Sequence, residues 1–371
     1  MSTVSERRTG VFRPTWVDVD TNAFAANVET VGALLPAGSR LIAVLKADAY
    51  GHGAVELARR CNRERVAMIA TALLEESLAL RDADIALPLL VLGPMDDAAI
   101  ATAVDAGITS GIPGPESLAA ACRVAKDRDV LIHLKLDSGM GRMGVVDYEL
   151  PDVIEMIRAT PRLRVDALYT HFANADEVND PFTKIQIENF DRMVAALRDA
   201  GVDAPLHHLA NSAATMRHLV RPGDFVRCGI VLFGPGDSTM RPVMRWRTEI
   251  ARLKDLPAGH AIGYGMTFHT RRPSRIATLP VGYADGYSRR HSNNGEVLVR
   301  GRRAPVVGRV SMDLTTIDVT GIPDAQPGDE VVLLGGQGGD RITAEELAAK
   351  TGTISYEVFC RVTQRVPRSY V

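Results

Sequence analysis

The chain has 371 residues, 46% hydrophobic and 24% charged, with a formal net charge of −2. That length holds one large domain and a smaller one with ample core, and the balance is that of a globular protein. A charge so near zero gives no electrostatic case for nucleic acid or an anionic membrane, and no apolar run is long enough to span a bilayer.

Residues 1–15 read as a polar leader without the apolar stretch of a secretory signal. Residues 16–20 then alternate like a strand, and 22–35 have helical periodicity. Short apolar runs follow at 41–46, 67–72, 87–92, 107–111, 130–136, 163–170, 206–210 and 225–233. Amphipathic segments lie between them, among them 54–61, 115–126, 152–159 and 182–200. Repeated strand-then-helix units predict a closed parallel (β/α)8 TIM-type barrel over residues 16–239, with an open doubly wound sheet as the alternative. Beyond residue 240 the runs at 250–253, 276–281, 296–299, 304–310, 315–319 and 330–334 are short, β-branched and separated by Gly, Pro and Asn turns. With one helix at 343–351, residues 240–371 read as a mainly-β domain.

Barrels carry their chemistry at the C-terminal ends of the strands, and the reactive side chains fall there. Lys46 ends the first predicted strand, and the glycine-rich segment from Lys135 to Arg142 follows the fifth. His171 ends the sixth, Asn211 and Ser212 follow the seventh, and Arg227 and Gly229 lie on the eighth. A lysine at a buried strand end meets little bulk water, which favours its neutral amine and Schiff-base chemistry with an aldehyde. The ordinary alternative is a lysine reaching into solvent. Ser212 opens a helix, a place for an N-cap or for an anion. Around His171 there is no histidine–cysteine ligand spacing, so no metal is inferred. Cys61, Cys122, Cys228 and Cys360 are scattered without CxxC spacing, which fits a reducing cytoplasm rather than a disulfide framework.

The stretch Lys46-Ala47-Asp48-Ala49-Tyr50-Gly51-His52 resembles the cofactor-lysine motif of the alanine racemases. The resemblance runs from about Trp16 to Arg368, with later motifs in the family's order. It implies that Lys46 carries pyridoxal 5'-phosphate. Tyr50, Asn211, Ser212, Gly229, Ile230 and Tyr356 would bind the cofactor, most of them at its phosphate. Arg227 would face the pyridine nitrogen, supported by His208. Arginine has no proton to give, so that nitrogen would stay largely unprotonated and the ring would be a weaker electron sink. Arg142 would meet the substrate carboxylate, with Lys135, often carbamylated in the family, behind it.

Further along, Ile262-Gly263-Tyr264-Gly265 matches the segment bearing a catalytic tyrosine, which would serve the face opposite Lys46. His171 would hydrogen-bond Tyr264. Tyr283 and Arg309 resemble entrance-gate residues, and the Met312 amide a substrate carboxylate ligand. Read singly, each tyrosine is an ordinary core aromatic. The family's substrate is the small amino acid alanine, its assembly a homodimer with composite sites, and its product D-alanine for peptidoglycan or a specialised pathway. Three departures stand out: Ser138 for the usual threonine, Ser311 for cysteine and Ser355 for proline. A racemase of serine or another small amino acid would keep every motif. A barrel decarboxylase would pair the pyridine nitrogen with a carboxylate rather than Arg227. A non-catalytic pyridoxal-phosphate-binding protein would lack the β domain and Tyr264.

Overall fold

The computed structural model describes residues 12–235 and 239–371, so most of the predicted leader lies outside the described residues. The chain forms two compact units. One comprises Ala25–Ala49 and Ala54–Leu232, the other Tyr50–Gly53, Phe233–Val371 and the N-terminal residues up to Phe24.

In the first unit eight parallel strands run in order: Leu41–Val44, Val66–Thr71, Leu89–Val91, Ile108–Ile112, Val130–Lys135, Leu163–Tyr169, Leu206–His208 and Val226–Cys228. Each pairs with its sequence neighbour up to the seventh, and the first pairs with the eighth, Leu41 opposite Val226. Between the seventh and eighth, Phe225 N–H donates to His207 O at 2.8 Å and Arg227 N–H to Ala210 O at 2.9 Å. Those bonds close the ring, so the sheet is a barrel and not an open layer. Helices such as Pro115–Val124, Leu150–Arg158 and Phe182–Asp199 return the chain between strands. Ile42, Val44, Ala70 and Leu90 form one buried cluster, two residues apart along a strand as the pleat requires.

The barrel strands are shorter than the apolar runs that announce them. The run 225–233 is a strand only over Val226–Cys228, after which Ile230–Phe233 coils into a 3-10 turn. An apolar run is equally compatible with a buried strand and a buried helical turn. The first strand likewise stops at Val44.

In the second unit Met244–Glu249 is the centre of a sheet, flanked by Thr15–Val19 and Glu330–Gln337, both antiparallel to it. Glu296–Val299 and Arg302–Pro305 extend that sheet on one side, and Arg368–Tyr370 joins Thr15–Val19 in parallel on the other. Arg252–Leu256, Ser274–Leu279 and Thr315–Asp318 form a second sheet. The N-terminal strand therefore belongs to this unit, although the expectation of a barrel over 16–239 includes it. Its partners come from the far end of the chain, a pairing that no local pattern displays. Along Met244–Glu249 buried and half-buried residues alternate, with Trp246 among the largest buried side chains.

Candidate active site

Lys46 opens a turn, Lys46–Gly51, in which Ala47, Asp48, Ala49 and Tyr50 have φ between 52° and 54° and Gly51 has 79°. This is a left-handed helical turn made mostly of residues with a β-carbon. Each such residue costs about 1–2 kcal/mol in that conformation, so surrounding groups must hold it. Within the barrel unit Glu76 does so. One carboxylate oxygen accepts the Ala47 N–H at 2.6 Å, and the other accepts Ala72 N–H at 2.9 Å and Leu73 N–H at 3.1 Å. Asp48 accepts the Ala54 N–H at 2.7 Å, and Ala49 N–H donates to Leu45 O at 2.9 Å. The turn carries Lys46 past the buried strand, and its side chain is exposed in the single chain. The expectation of a lysine dried by a strand end is corrected accordingly.

Arg227 is buried at 4% exposure on the eighth strand. One terminal nitrogen donates to Nδ1 of His208 at 2.8 Å and to His208 O. The other donates to Thr170 O at 2.5 Å, Nδ1 of His171 at 3.2 Å and Leu209 O at 3.2 Å. Every acceptor is neutral. Burial pushes the guanidinium down to about 10, which leaves it a cation at neutral pH. Its Nε–H has no acceptor among the described residues, and Tyr169 lies against its plane with Cζ 5.3 Å from the ring centre.

Arginine only donates, so Nδ1 of both His171 and His208 must accept, and the proton of each neutral ring sits on Nε2. Neutrality is enforced. Burial first, then Arg227, Lys135, Arg142 and Lys46, push His171 down to about 3. Those four cations thus converge electrostatically on one imidazole. His208 is held well below the ordinary histidine value by burial and by Arg227.

Lys135 is buried and donates to Met143 O at 2.7 Å. Burial, opposed by Asp137 and reinforced by Arg142 and Arg227, pushes its ammonium down to about 8. The loop beyond it is wound on Asp137, whose carboxylate accepts the N–H groups of Gly139 at 2.9 Å, Met140 at 2.8 Å and Gly141 at 2.9 Å. Gly144 closes the loop with φ 126°, where a β-carbon would stand 2.5 Å from the Asp137 nitrogen. Arg142 is exposed on this loop. Asn211 caps the short helix Ser212–Met216 by accepting the Ala214 N–H at 3.0 Å. Ser212 Oγ accepts the Gly229 N–H at 3.1 Å. The Gly229 amide, expected to face a ligand, is therefore taken up by Ser212, whose own hydroxyl hydrogen points elsewhere. Ile230 is buried at the start of the following turn.

In the second unit Tyr50 packs on Phe233 at 5.1 Å and on Tyr356 at 6.0 Å between ring centres. Tyr264 is 71% exposed, on the turn Tyr264–Met266 between Gly263 and Gly265, both with positive φ. The Arg309 guanidinium lies against Gly265, where a β-carbon would be 3.2 Å from Cζ. Tyr283 N–H donates to Ser311 O and Ala284 N–H to Met312 O, both at 3.0 Å, so Tyr283 and Met312 stand on adjoining strands of backbone. Met266, Tyr283, Met312, Leu314, Ile354 and Tyr356 are exposed with Tyr264. The candidate residues thus form two sets, one in each unit. Sequence reading missed Glu76 and Asp137, whose carboxylates shape the backbone under Lys46 and Arg142. An acid two residues after a strand-end lysine is visible in the sequence, but which amide it binds is not.

Models of the alanine racemase N-terminal and C-terminal domains match residues 19–237 and 243–370. The chain belongs to the alanine racemase family. An alanine racemase of Halothermothrix orenii is 40% identical over 97% of each chain. The crystal structure of the alanine racemase from Bacillus anthracis with bound L-Ala-P superposes with a TM-score of 0.91 at 35% identity, covering 97% of this chain and 96% of that one. That of Bartonella henselae, with covalently bound pyridoxal phosphate, has a TM-score of 0.87 at 26% identity over 96% and 99%. The protein is accordingly an isomerase of the amino-acid racemase class. Among the described residues no helix is long and apolar enough to cross a membrane.

Proposed function

We propose that this chain interconverts L- and D-alanine with pyridoxal 5'-phosphate bound at Lys46. The observation that carries the reading is Arg227: a buried guanidinium whose bonds all end on neutral acceptors, with one N–H left unclaimed. A ring nitrogen with a lone pair fits that donor, whereas a protonated ring would oppose it. When bound, the cofactor supplies an aldehyde that condenses with amines and a conjugated ring that spreads the charge left by a departing α-proton.

The residues divide the remaining work. Arg227 would hold a bound ring nitrogen unprotonated, which would limit charge delocalisation and favour return of the proton over side reactions. Ser212 O–H, the Ile230 amide, Asn211, Gly229, Tyr50 and Tyr356 form the phosphate and ring surroundings. Arg142 receives the substrate carboxylate on a loop stiffened by Asp137. Near pH 8 much of Lys135 is neutral; that amine would add carbon dioxide and release one proton, leaving a carbamate anion that orients Arg142. The Lys46 amine moves the α-proton on one face, and the Tyr264 phenol on the other. Nε2–H of His171 donates to that phenol oxygen. Tyr283 and Arg309 line the entrance, and the Met312 amide meets the carboxylate.

The exposed apolar and aromatic side chains around Tyr264, Tyr283, Met312, Leu314 and Ile354 support a homodimer in which Tyr264 serves a second copy's Lys46. Cys61, Cys122, Cys228 and Cys360 are not joined in disulfides, which fits the cytoplasm, where D-alanine would supply peptidoglycan or a specialised pathway.

Incubation of the cofactor-loaded protein with L-alanine, followed by chiral chromatography, should yield D-alanine. Serine should react more weakly and lysine or arginine poorly. A higher kcat/KM for either basic amino acid, or no D-alanine at all, would overturn the reading.

A further inference from the structure

Asp166 stands off the ladder between the fifth and sixth barrel strands. Ile132 pairs with Val165 and His133 with Ala167, so Asp166 is the extra residue of a bulge in a parallel pair. Bulges are rare in parallel pairs and re-aim a side chain. This one places the Asp166 carboxylate 3.8 Å from Nε2 of His133. That nitrogen is buried and has no hydrogen-bond partner among the described residues. The separation is one that a bridging water, or a small turn of the partly exposed carboxylate, would span.

The other nitrogen of His133, Nδ1, lies 3.0 Å from Nε2 of His208, whose Nδ1 accepts from Arg227 at 2.8 Å. The guanidinium sets the direction of the whole row. His208 accepts at Nδ1 and donates from Nε2; His133 accepts at Nδ1, and its remaining proton faces Asp166. Each link points from the cation towards the anion. Tyr169 stacks on His208 at 4.6 Å with 12° between the planes, which holds that ring in register. Among the described residues no carboxylate bonds Arg227 directly, and an uncompensated buried cation is costly.

We infer that Asp166 and His133 are positioning residues for Arg227. The bulge-borne carboxylate balances the buried guanidinium through two imidazoles fixed in single tautomers, and so sets how strongly Nε–H of Arg227 binds a ring nitrogen. The last clause rests on the reading that Arg227 faces the cofactor ring.

The test labels histidine with 15N and compares wild type with Asp166→Asn, Asp166→Ala and Asp166→Glu. In wild type both His133 and His208 should give the Nε2–H tautomer. In Asp166→Ala both rings should keep the Nε2–H tautomer, but the His133 Nε2 signal should move as its proton loses the facing carboxylate, with a smaller shift at His208. The absorption maximum of the bound cofactor should shift, and kcat should fall several-fold with KM for alanine little changed. Asp166→Glu should recover much of both. Unmoved imidazole signals in Asp166→Ala, or an Nδ1–H tautomer in wild type, would overturn the relay. Moved signals with unchanged absorption and kcat would overturn its coupling to the ring. The signals are read with and without cofactor, so a failure there counts against the relay, whereas a borohydride adduct away from Lys46 counts against the cofactor reading.

Discussion

Arg227 is surrounded by acceptors that carry no charge, and its chemistry follows from that choice. Replacing it with glutamate would give the ring nitrogen an anion that stabilises its proton. Arg227→Glu should racemise more slowly and show a larger ratio of transamination to racemisation, measured as pyruvate against D-alanine. An unchanged ratio would remove Arg227 from the ring. Lys135 makes a second prediction. Its ammonium is pushed down to about 8 from an ordinary value of 10.5, so in that window the unfolded chain binds a proton that the folded chain has released. Stability attributable to Lys135 should therefore rise with pH from about 8 to 10.5. Over the same rise, at constant dissolved carbon dioxide, a 13C carbamate signal should grow and be absent from Lys135→Ala. At this scale the sequence is partly legible. Lys46, His171 and Arg227 are recognisable from their places at strand ends, but the neutral partners that define Arg227 come from two other strands or the residues just after them. A residue's type announces its chemistry, and only packing decides its charge state.

The left-handed turn Lys46–Gly51 is the element on which the lysine's aim depends. Ala47 is exposed with φ 53°, so removing its β-carbon relieves backbone strain with little loss of packing. Ala47→Gly should raise the unfolding free energy measured with urea by about 0.5–1 kcal/mol, the entropy of glycine being set against the relieved strain. Ala47→Val should lower it. Glu76→Ala removes the acceptor of three backbone N–H groups and should slow formation of the borohydride-reducible adduct at Lys46 more than it changes helix content. An unaltered rate would show that the turn holds without the clamp. Little of this was written in the local pattern. Ala-Asp-Ala-Tyr has no glycine to signal positive φ, and helical propensity alone suggests an ordinary right-handed turn. The bulge at Asp166 is equally silent, because one extra residue leaves the alternation of the strand looking regular.

For the whole molecule, the two sets of candidate residues predict complementation between subunits. Lys46→Ala and Tyr264→Phe should each abolish or nearly abolish racemisation. Mixed and allowed to exchange, about half the dimers are heterodimers, each with one intact and one doubly defective site, so activity should return to about a quarter of wild type. Verified exchange with no recovery would mean that the two residues do not meet. The alternation of strands and helices made the barrel legible, and short β-branched runs did the same for the β unit. The pairing of Thr15–Val19 with Met244–Glu249 did not show, because partners more than 200 residues apart leave no periodic trace. For the same reason Tyr264 and Ile354 read as ordinary core residues until burial reveals that they are uncovered in the single chain.

The row of bonds from Arg227 through His208 to His133 faces a partly exposed carboxylate, yet it is an insulator. A proton taken in at Asp166 could travel inward only if the far end released one, and a guanidinium does not. A ring nitrogen held by Arg227 would thereby be sealed from the acidity of the medium on that side. If Lys46 and Tyr264 are the two bases, hydrogen from water would enter the substrate only through them. In heavy water, deuterium should appear in the product in step with racemisation, and the ratio of the two should be the same in Asp166→Asn as in wild type.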